Sequence, residues 1–417
     1  MKILHIVHQY LPETIGGTEL YTQTLAQHQV AAGHSVAVFY PSQREEKLWQ
    51  TTDNHLRVYG AAVGLRSRTR IFLSTFGDKA LREMFTAVLQ QEQPDLIHIQ
   101  HLMGLPTSLI DAIQVPFVIT LHDYWYGCGN AQLVTNYDST ICQGPDHWFY
   151  NCGRCALARG GQSEWLAPLV APLMAWRNVR LRPILQRASK VIAPTHFVQQ
   201  TYQQLGLAGD NMIVIPHGIE VPHEQIQAIL ATRPLRQPGT LHIGYIGSLG
   251  WQKGVHNLIA AVNRLPTEGV KLTIYGRLDT FPDYVAELQQ QAHHPGIHFA
   301  GPVSRTDLWA ALAAFDVVVM PTLWYEASPL TIQEVFAVGV PIVASRIGAM
   351  TEKIREGVDG RLVPPGNADA LHKVLFNLLT DPTSLTQLRQ NIQPVHTMAE
   401  HIEEIEALYR TLLAANA

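Results

Sequence analysis

Short apolar runs rich in Val and Ile recur along this chain, separated by longer amphipathic segments. Each short run suits a buried strand, and each longer segment a helix. In the first half the pattern predicts strands over 3–7, 35–40, 56–59, 95–99, 116–121, 191–193 and 212–215. Helices fit between them, among them 18–32, closed by Gly33, and 79–92. The stretch 216–238 holds four prolines and few strand formers, and reads as a connection between domains. The alternation then restarts, with strands expected over 241–246, 271–275, 297–299, 317–320, 341–344 and 361–363. Strands alternating with helices imply parallel, doubly wound sheets, so the expected fold class is α/β, with the pattern repeated in two domains. Their expected bounds are 1–216 and 217–397, with a helical end over 398–417.

The stretch from Val317 to Ile347 carries much of the candidate chemistry. Pro321 ends a strand, and Ser328-Pro329 is a helix-start signal, with Ser328 as N-cap. The helix should run through Val338 and close at Gly339. Glu326 then lies in the loop at the carboxyl end of a strand. Glu334 follows eight residues later, in line with Leu330 and Val338 on one helix face. The amides of Leu330 and Thr331 lie between the two acids, at the positive end of the helix, where anions bind. Acid, anion site, acid suits a nucleotide sugar: sugar hydroxyls, diphosphate, ribose diol. Taken alone, the two acids fit a well-capped helix with an exposed Glu better than they fit a ligand site.

Other residues sit at strand ends. Gly16-Gly17 follows the first strand and precedes a helix, where backbone can approach a phosphate; a plain turn reads as well. Gly247 to Gly254 (GSLGWQKG) is neither a Walker A loop nor the dinucleotide fingerprint. It places Lys253 after the first strand of the second domain, near an expected diphosphate. His122 ends a strand, and His98 and His101 follow the preceding one as acceptor-side candidates. Tyr275-Gly276 and Val303, in G-P-V, neighbour the expected base pocket.

Composition narrows the classes. The 417 residues are 47% hydrophobic and 15% charged, and the formal net charge is −4 without a basic tract, so a nucleic-acid partner is not expected. The apolar run at the N-terminus is too short for a signal peptide. No apolar run approaches the ~20 residues of a membrane span. The segment 165–176 is apolar but broken by prolines. The expected compartment is the cytoplasm, with peripheral membrane association left open.

The string E-x₇-E followed by A-x-G-V-P-I-V-A-S resembles the retaining nucleotide-sugar glycosyltransferases of family 4. Tyr10-Leu11-Pro12, Gly16-Gly17, Leu121-His122-Asp123 and Gly247 to Gly254 extend the likeness, in the family order, over nearly the full length. The resemblance implies the GT-B fold, two Rossmann-like domains facing across a cleft, with the last helix crossing back to the first. It implies His122 and Glu326 as catalytic contacts to the transferred sugar. It implies donor binding by Gly16, Gly17, Ser248, Lys253, Arg277, Val303, Ser328, Leu330, Thr331 and Glu334. The family commonly has Arg where this chain has Ser248, which shifts the diphosphate charge onto Lys253, the helix amides and Arg277. No D-x-D motif occurs, so no cofactor is implied beyond the nucleotide-sugar donor (a UDP- or GDP-sugar), with a glycan, lipid-linked or small hydroxyl acceptor as partner. The rival readings are a nucleotide-sugar 2-epimerase of the same fold and a non-catalytic nucleotide-sugar-binding protein.

The region 124–186 reads as an insert with few regular elements. It holds all four cysteines of the chain, Cys128, Cys142, Cys152 and Cys155. Cys152 and Cys155 form C-x-x-C, and neighbouring glycines permit tight turns. The expectation is a structural zinc held by four thiolates. Unlinked thiols, a redox dithiol, an iron–sulfur cluster and disulfides are the alternatives.

Overall fold

The structure, a computed structural model, describes residues 1–44, 47–233 and 237–415. The chain divides into two compact units. One is Met1–Pro216 with the chain from Ala399 onward; the other is His217–Met398. The expected connection 216–238 and terminal helix 398–417 include residues 234–236 and 416–417, which lie outside the described residues.

The first unit is built on strands β1 (Lys2–Ile6), β2 (Ser35–Ser42), β3 (Leu48–Asp53), β4 (Leu56–Ala62), β5 (Leu96–Ile99), β6 (Phe117–Thr120), β7 (Lys190–Ala193) and β8 (Met212–Val214). They line up in the order β3-β4-β2-β1-β5-β6-β7-β8. Every described pairing is parallel except β3 with β4. Sheets covered on both faces call for continuous apolar strands, and the four residues of β5 and of β6 are all buried. Strand β3 escaped the sequence reading because it is an edge strand: of LWQTTD only Trp49 is buried, so no apolar period shows.

The second unit contains β9 (Leu241–Ile246), β10 (Val270–Tyr275), β11 (Ile297–Gly301), β12 (Val317–Met320), β13 (Ile342–Ser345) and β14 (Gly360–Val363), all parallel, in the order β11-β10-β9-β12-β13-β14. The stretch after Pro216 is more than a connection. It contains a helix, His223–Ala231, whose Ile226 joins the core of Leu308, Trp309 and Leu312. Burial of that apolar face outweighs the surrounding prolines.

The region 124–186 also holds more regular structure than expected: helices Tyr150–Arg159 and Ala167–Arg187, the second with Pro172 and Pro183 inside it. Pro168 sits in the first turn, where amides lack helical acceptors anyway. An interior proline costs ~3 kcal/mol. Burial of Ala167, Ala171, Met174, Leu181, Ile184 and Leu185 at helical spacing offsets it. Arg177, on the same helix, is buried over the Trp125 ring and donates to the Trp125 carbonyl. Burial lowers its pKa to about 10. None of the described helices is long and apolar enough to cross a membrane.

In each sheet the strand order turns back at one place, beside β1 in the first and beside β9 in the second. Loops leaving the carboxyl ends of strands at such a switch point splay apart and leave a crevice for a ligand.

Candidate active site

In the second unit the switch point lies between β9 and β12, which pair through Val317 with Ile243 and Val318 with Gly244. Lys253 closes a short turn, Trp251–Lys253, after β9. Glu326 lies in the loop after β12. Gly254 lets these loops meet: its φ is +70°, and a Cβ there would fall 2.0 Å from the Pro321 carbonyl oxygen. The Leu323 amide donates to the Gln252 carbonyl at 2.8 Å. The loops thereby bring Lys253 Nζ to 2.5 Å from Glu326 Oε1, and the Trp324 indole N–H donates to the same oxygen at 2.8 Å. Lys253, expected on a phosphate, and Glu326, expected on the sugar, are partners of each other.

The helix after this loop is Leu330–Ala337. Its N-cap is Pro329, in extended backbone, with no side-chain cap. Ser328 therefore does not cap it. The proline takes the boundary position, and the Ser328 hydroxyl is buried without a bond. The amides of Leu330 and Thr331 open the helix, where no helical acceptor exists for them. Glu334, one turn on, is 8% exposed, and Arg305 Nη1 stands 2.5 Å from its Oε1. Sequence reading missed Arg305, although it lies two residues past Val303. Val303 packs half-buried against the core around Ile332 and Val335. Arg277 is exposed and forks onto Asp279 at 2.9 and 3.1 Å, so its charge is already engaged by a neighbour two residues away. Ser248 contributes its carbonyl, which accepts from the Tyr245 hydroxyl at 2.7 Å and fixes the loop.

In the first unit the corresponding strand ends are those of β1, β5 and β6. His122 Nε2 lies 2.9 Å from Gln100 Oε1, Gln100 Nε2 lies 3.2 Å from His5 Nδ1, and His5 Nε2 lies 2.7 Å from Gln29 Oε1. An amide nitrogen only donates and an amide oxygen only accepts, so with both glutamines oriented as they stand the chain of bonds sets the tautomers. His5 and His122 both carry the proton on Nε2, and Nδ1 of each is the acceptor. Burial, aided by the His101 charge, lowers the pKa of His122 to about 3, and burial lowers that of His5 to about 4. At neutral pH His122 is therefore an uncharged imidazole and not a general acid.

His98 does not fit an acceptor-side role. It is fully buried, bonded to Thr120 at 2.7 Å and to the Tyr409 hydroxyl at 2.6 Å. Its side chain alternates to the sheet face covered by the final helix, Met398–Ala414. His101 is 2% exposed and pairs with Asp123 at 3.1 Å. The helix after β1 is Gly17–Ala31, with Gly16 as its N-cap. A Cβ on Gly16 would come 2.5 Å from Glu19 Oε2. Glu19 is itself buried, 3.8 Å from His8. Gln29, Gln100, His5 and Glu19 were not found by sequence reading. The one available signal was a His placed inside an apolar strand, as in KILHI.

A family model described as Glycosyltransferase Family 4 matches residues 15–222, and one described as Glycosyl transferases group 1 matches residues 240–381. The chain is a family 4 glycosyltransferase. It is 28% identical to a glycogen synthase of Mycobacterium tuberculosis, over 92% of this chain and 87% of that protein. It is 28% identical to a phosphatidyl-myo-inositol mannosyltransferase of Mycolicibacterium smegmatis, over 90% and 84%. Among solved structures, a sucrose-phosphate synthase from Thermosynechococcus elongatus superposes with a TM-score of 0.73 at 20% identity, covering 99% of each chain. HepE of Anabaena, in complex with UDP and glucose, gives 0.67 at 20% identity, covering 99% of this chain and 100% of that one. The fold is accordingly GT-B, two parallel-sheet α/β domains. One family model falls on each unit of the glycosyltransferase, and the second spans Lys253, Arg305, Glu326 and Glu334.

Proposed function

We propose that the enzyme moves a sugar from a nucleoside-diphosphate sugar to a hydroxyl acceptor with retention at the anomeric carbon. The observation that carries this reading is the grouping at the switch point of the second sheet. Lys253, Glu326, the first amides of the helix Leu330–Ala337 and Glu334 follow one another there. A diphosphate meets Lys253 and the helix amides, Glu334 receives the ribose diol, and Glu326 holds sugar hydroxyls. Structures of HepE with UDP and with UDP-glucose support a uridine donor as the first to test.

In this reading charge builds on the leaving diphosphate as the glycosidic bond breaks, and Lys253 with the helix amides stabilises it. The acceptor attacks from the face the leaving group quits, and the departing phosphate oxygen takes its proton. From the first unit, His122, held by Gln100, is the residue proposed for a sugar hydroxyl. The reaction belongs in the cytoplasm, where nucleotide sugars are made. The test is incubation with UDP-, GDP- and ADP-sugars, with NMR of the released or transferred sugar. Slow donor hydrolysis giving first the anomer of the donor supports the reading. Inversion, or epimerisation at C2 without release of the diphosphate, overturns it.

A further inference from the structure

All four cysteines of the chain line one cavity of about 500 Å³ in the first unit. They come to it from separate places: Cys128 and Cys142 from loops, Cys152 and Cys155 from the helix Tyr150–Arg159. All four are free thiols. A chain with no other cysteine has brought the whole set to one wall.

The sulfurs bond in both roles: Cys142 Sγ donates to the Gly144 carbonyl at 3.4 Å and Cys128 Sγ donates to Asn130, while several N–H groups point at Cys155 and Cys142. Cys155 Sγ accepts from the Asn136 amide at 3.4 Å, from Asn136 Nδ2 at 3.2 Å and from Asn130 Nδ2 at 3.6 Å. Cys142 Sγ accepts from the Gly144 amide at 3.4 Å. That bond closes a two-residue turn that needs Gly144 at φ +111°. Asn130 spans the set: its Oδ1 also accepts from Cys128 Sγ at 2.6 Å. A thiol is a poor acceptor, and several N–H donors aimed at one sulfur are of use chiefly to a thiolate. A set of thiolates gathered at one cavity needs a cation to balance it, and metal coordination stabilises the deprotonated thiol.

We infer that Cys128, Cys142, Cys152 and Cys155 are the ligands of one closed metal centre, with Asn130, Asn136 and the Gly144 amide as the N–H donors to its thiolates. Four thiolates select zinc or an iron–sulfur cluster among biological metals. Binding releases the thiol protons to solvent, up to one for each ligand. Among the described residues no three of these sulfurs lie within 4.8 Å of one another. A single zinc ion, at ~2.3 Å from each, would draw them to ~3.8 Å apart. A cluster holds its ligands more widely spaced.

The centre has a mechanical consequence for the strand end that carries His122. The Cys128 amide donates to the Tyr124 carbonyl at 2.8 Å, the Trp125 amide to Asp123 Oδ1 at 2.8 Å, and Asp123 in turn holds His101. Fixing Cys128 therefore fixes the turn that follows His122.

The experiment is metal and sulfide analysis with an absorption spectrum on anaerobically purified full-length protein. About one zinc per chain without colour, or about two or four irons with matching sulfide and visible absorption, supports the centre and says which metal it holds. No metal above a tenth per chain, before and after anaerobic reconstitution with either metal, overturns it. So does an unchanged metal ratio in the four-Cys→Ser variant, which would mark the metal as adventitious. Because that variant could misfold, Asn136→Leu is the second arm. It removes one N–H donor from an exposed side chain, and should release the metal to a chelator at 10–100-fold lower chelator concentration. Unchanged release in Asn136→Leu overturns the assignment of the donors. Metal analysis needs no sugar donor, so its result stands apart from that of the donor screen.

Discussion

Lys253 and Glu326 are joined as an ion pair, Nζ to Oε1 at 2.5 Å, with 25% and 12% of their side chains exposed. One follows β9 and the other β12, the adjacent strands of the second switch point. In the proposed reaction a diphosphate at Lys253 would share it with a carboxylate of its own sign.

Glu326→Gln should for that reason tighten the binding of free UDP or GDP by roughly 3–10-fold, while turnover collapses. The amide no longer competes for Lys253 or repels the phosphates, at a gain of about 1 kcal/mol for a partly buried pair. Isothermal titration beside a turnover assay separates the effects. Weaker diphosphate binding in Glu326→Gln would show that the pair serves as a unit in holding the phosphate.

Glu334→Ala should weaken the free nucleoside diphosphate roughly 10–150-fold, because hydrogen bonds to a charged group are worth ~1.5–3 kcal/mol. Its partner behaves differently. Arg305 is 59% exposed, so Arg305→Ala should leave stability within ~0.5 kcal/mol of the parent. Urea midpoints and titration of the nucleotide check both. Equal nucleotide affinity in Glu334→Ala removes Glu334 from the ribose site.

Gln100 bonds His122, and in the proposed function it is a positioning residue. Gln100→Glu replaces a neutral acceptor by a carboxylate and favours protonated imidazole, so the pKa of His122 should rise from about 3 toward neutrality. The kcat profile, flat on its acid side in the parent, should gain a limb falling toward low pH. Gln100→Leu should lower kcat with little change in donor KM. Nitrogen NMR of the imidazole reads the tautomer directly, and a proton on Nδ1 in the parent would contradict the assignment.

Acid should unfold this protein early. His5 is held at about 4 and His122 at about 3, and His8 and His98 are held well below the usual 6.5, by burial first in every case. Unfolded, each binds a proton near pH 6.5. The unfolded state therefore binds more protons below that pH, and stability falls as pH drops. For His5 alone the loss is roughly 3 kcal/mol once pH has passed both values. Denaturant midpoints between pH 7 and 4.5 give the slope. A slope near pH 5 approaching four protons is expected from these residues, and a flat profile would mean that they titrate normally.

Much of the candidate site's local layout was legible because it obeys local rules. Gly254, Pro321 and the spacing of Glu326 from Glu334 are readable as loop and helix chemistry, and the strands of both sheets, the edge strand β3 excepted, announce themselves as apolar runs. The capping role of Ser328 was misread for a local reason as well, since Pro329 is equally able to hold the boundary. The partners of these residues were not legible. Arg305 reaches Glu334 across 29 positions, and Lys253 reaches Glu326 across 73.

By itself the sequence determined the alternation of strands and helices, the two-sheet class and the residue types at each strand end. Periodicity and turn chemistry act over a few residues and are written there. The tertiary structure alone decided which charges neutralise each other, that His98 is core, and that the loop cysteines meet the helix cysteines at one cavity. Those outcomes depend on strand order and burial. Burial sets the cost of every charge, and strand order sets which partner stands near enough to offset it.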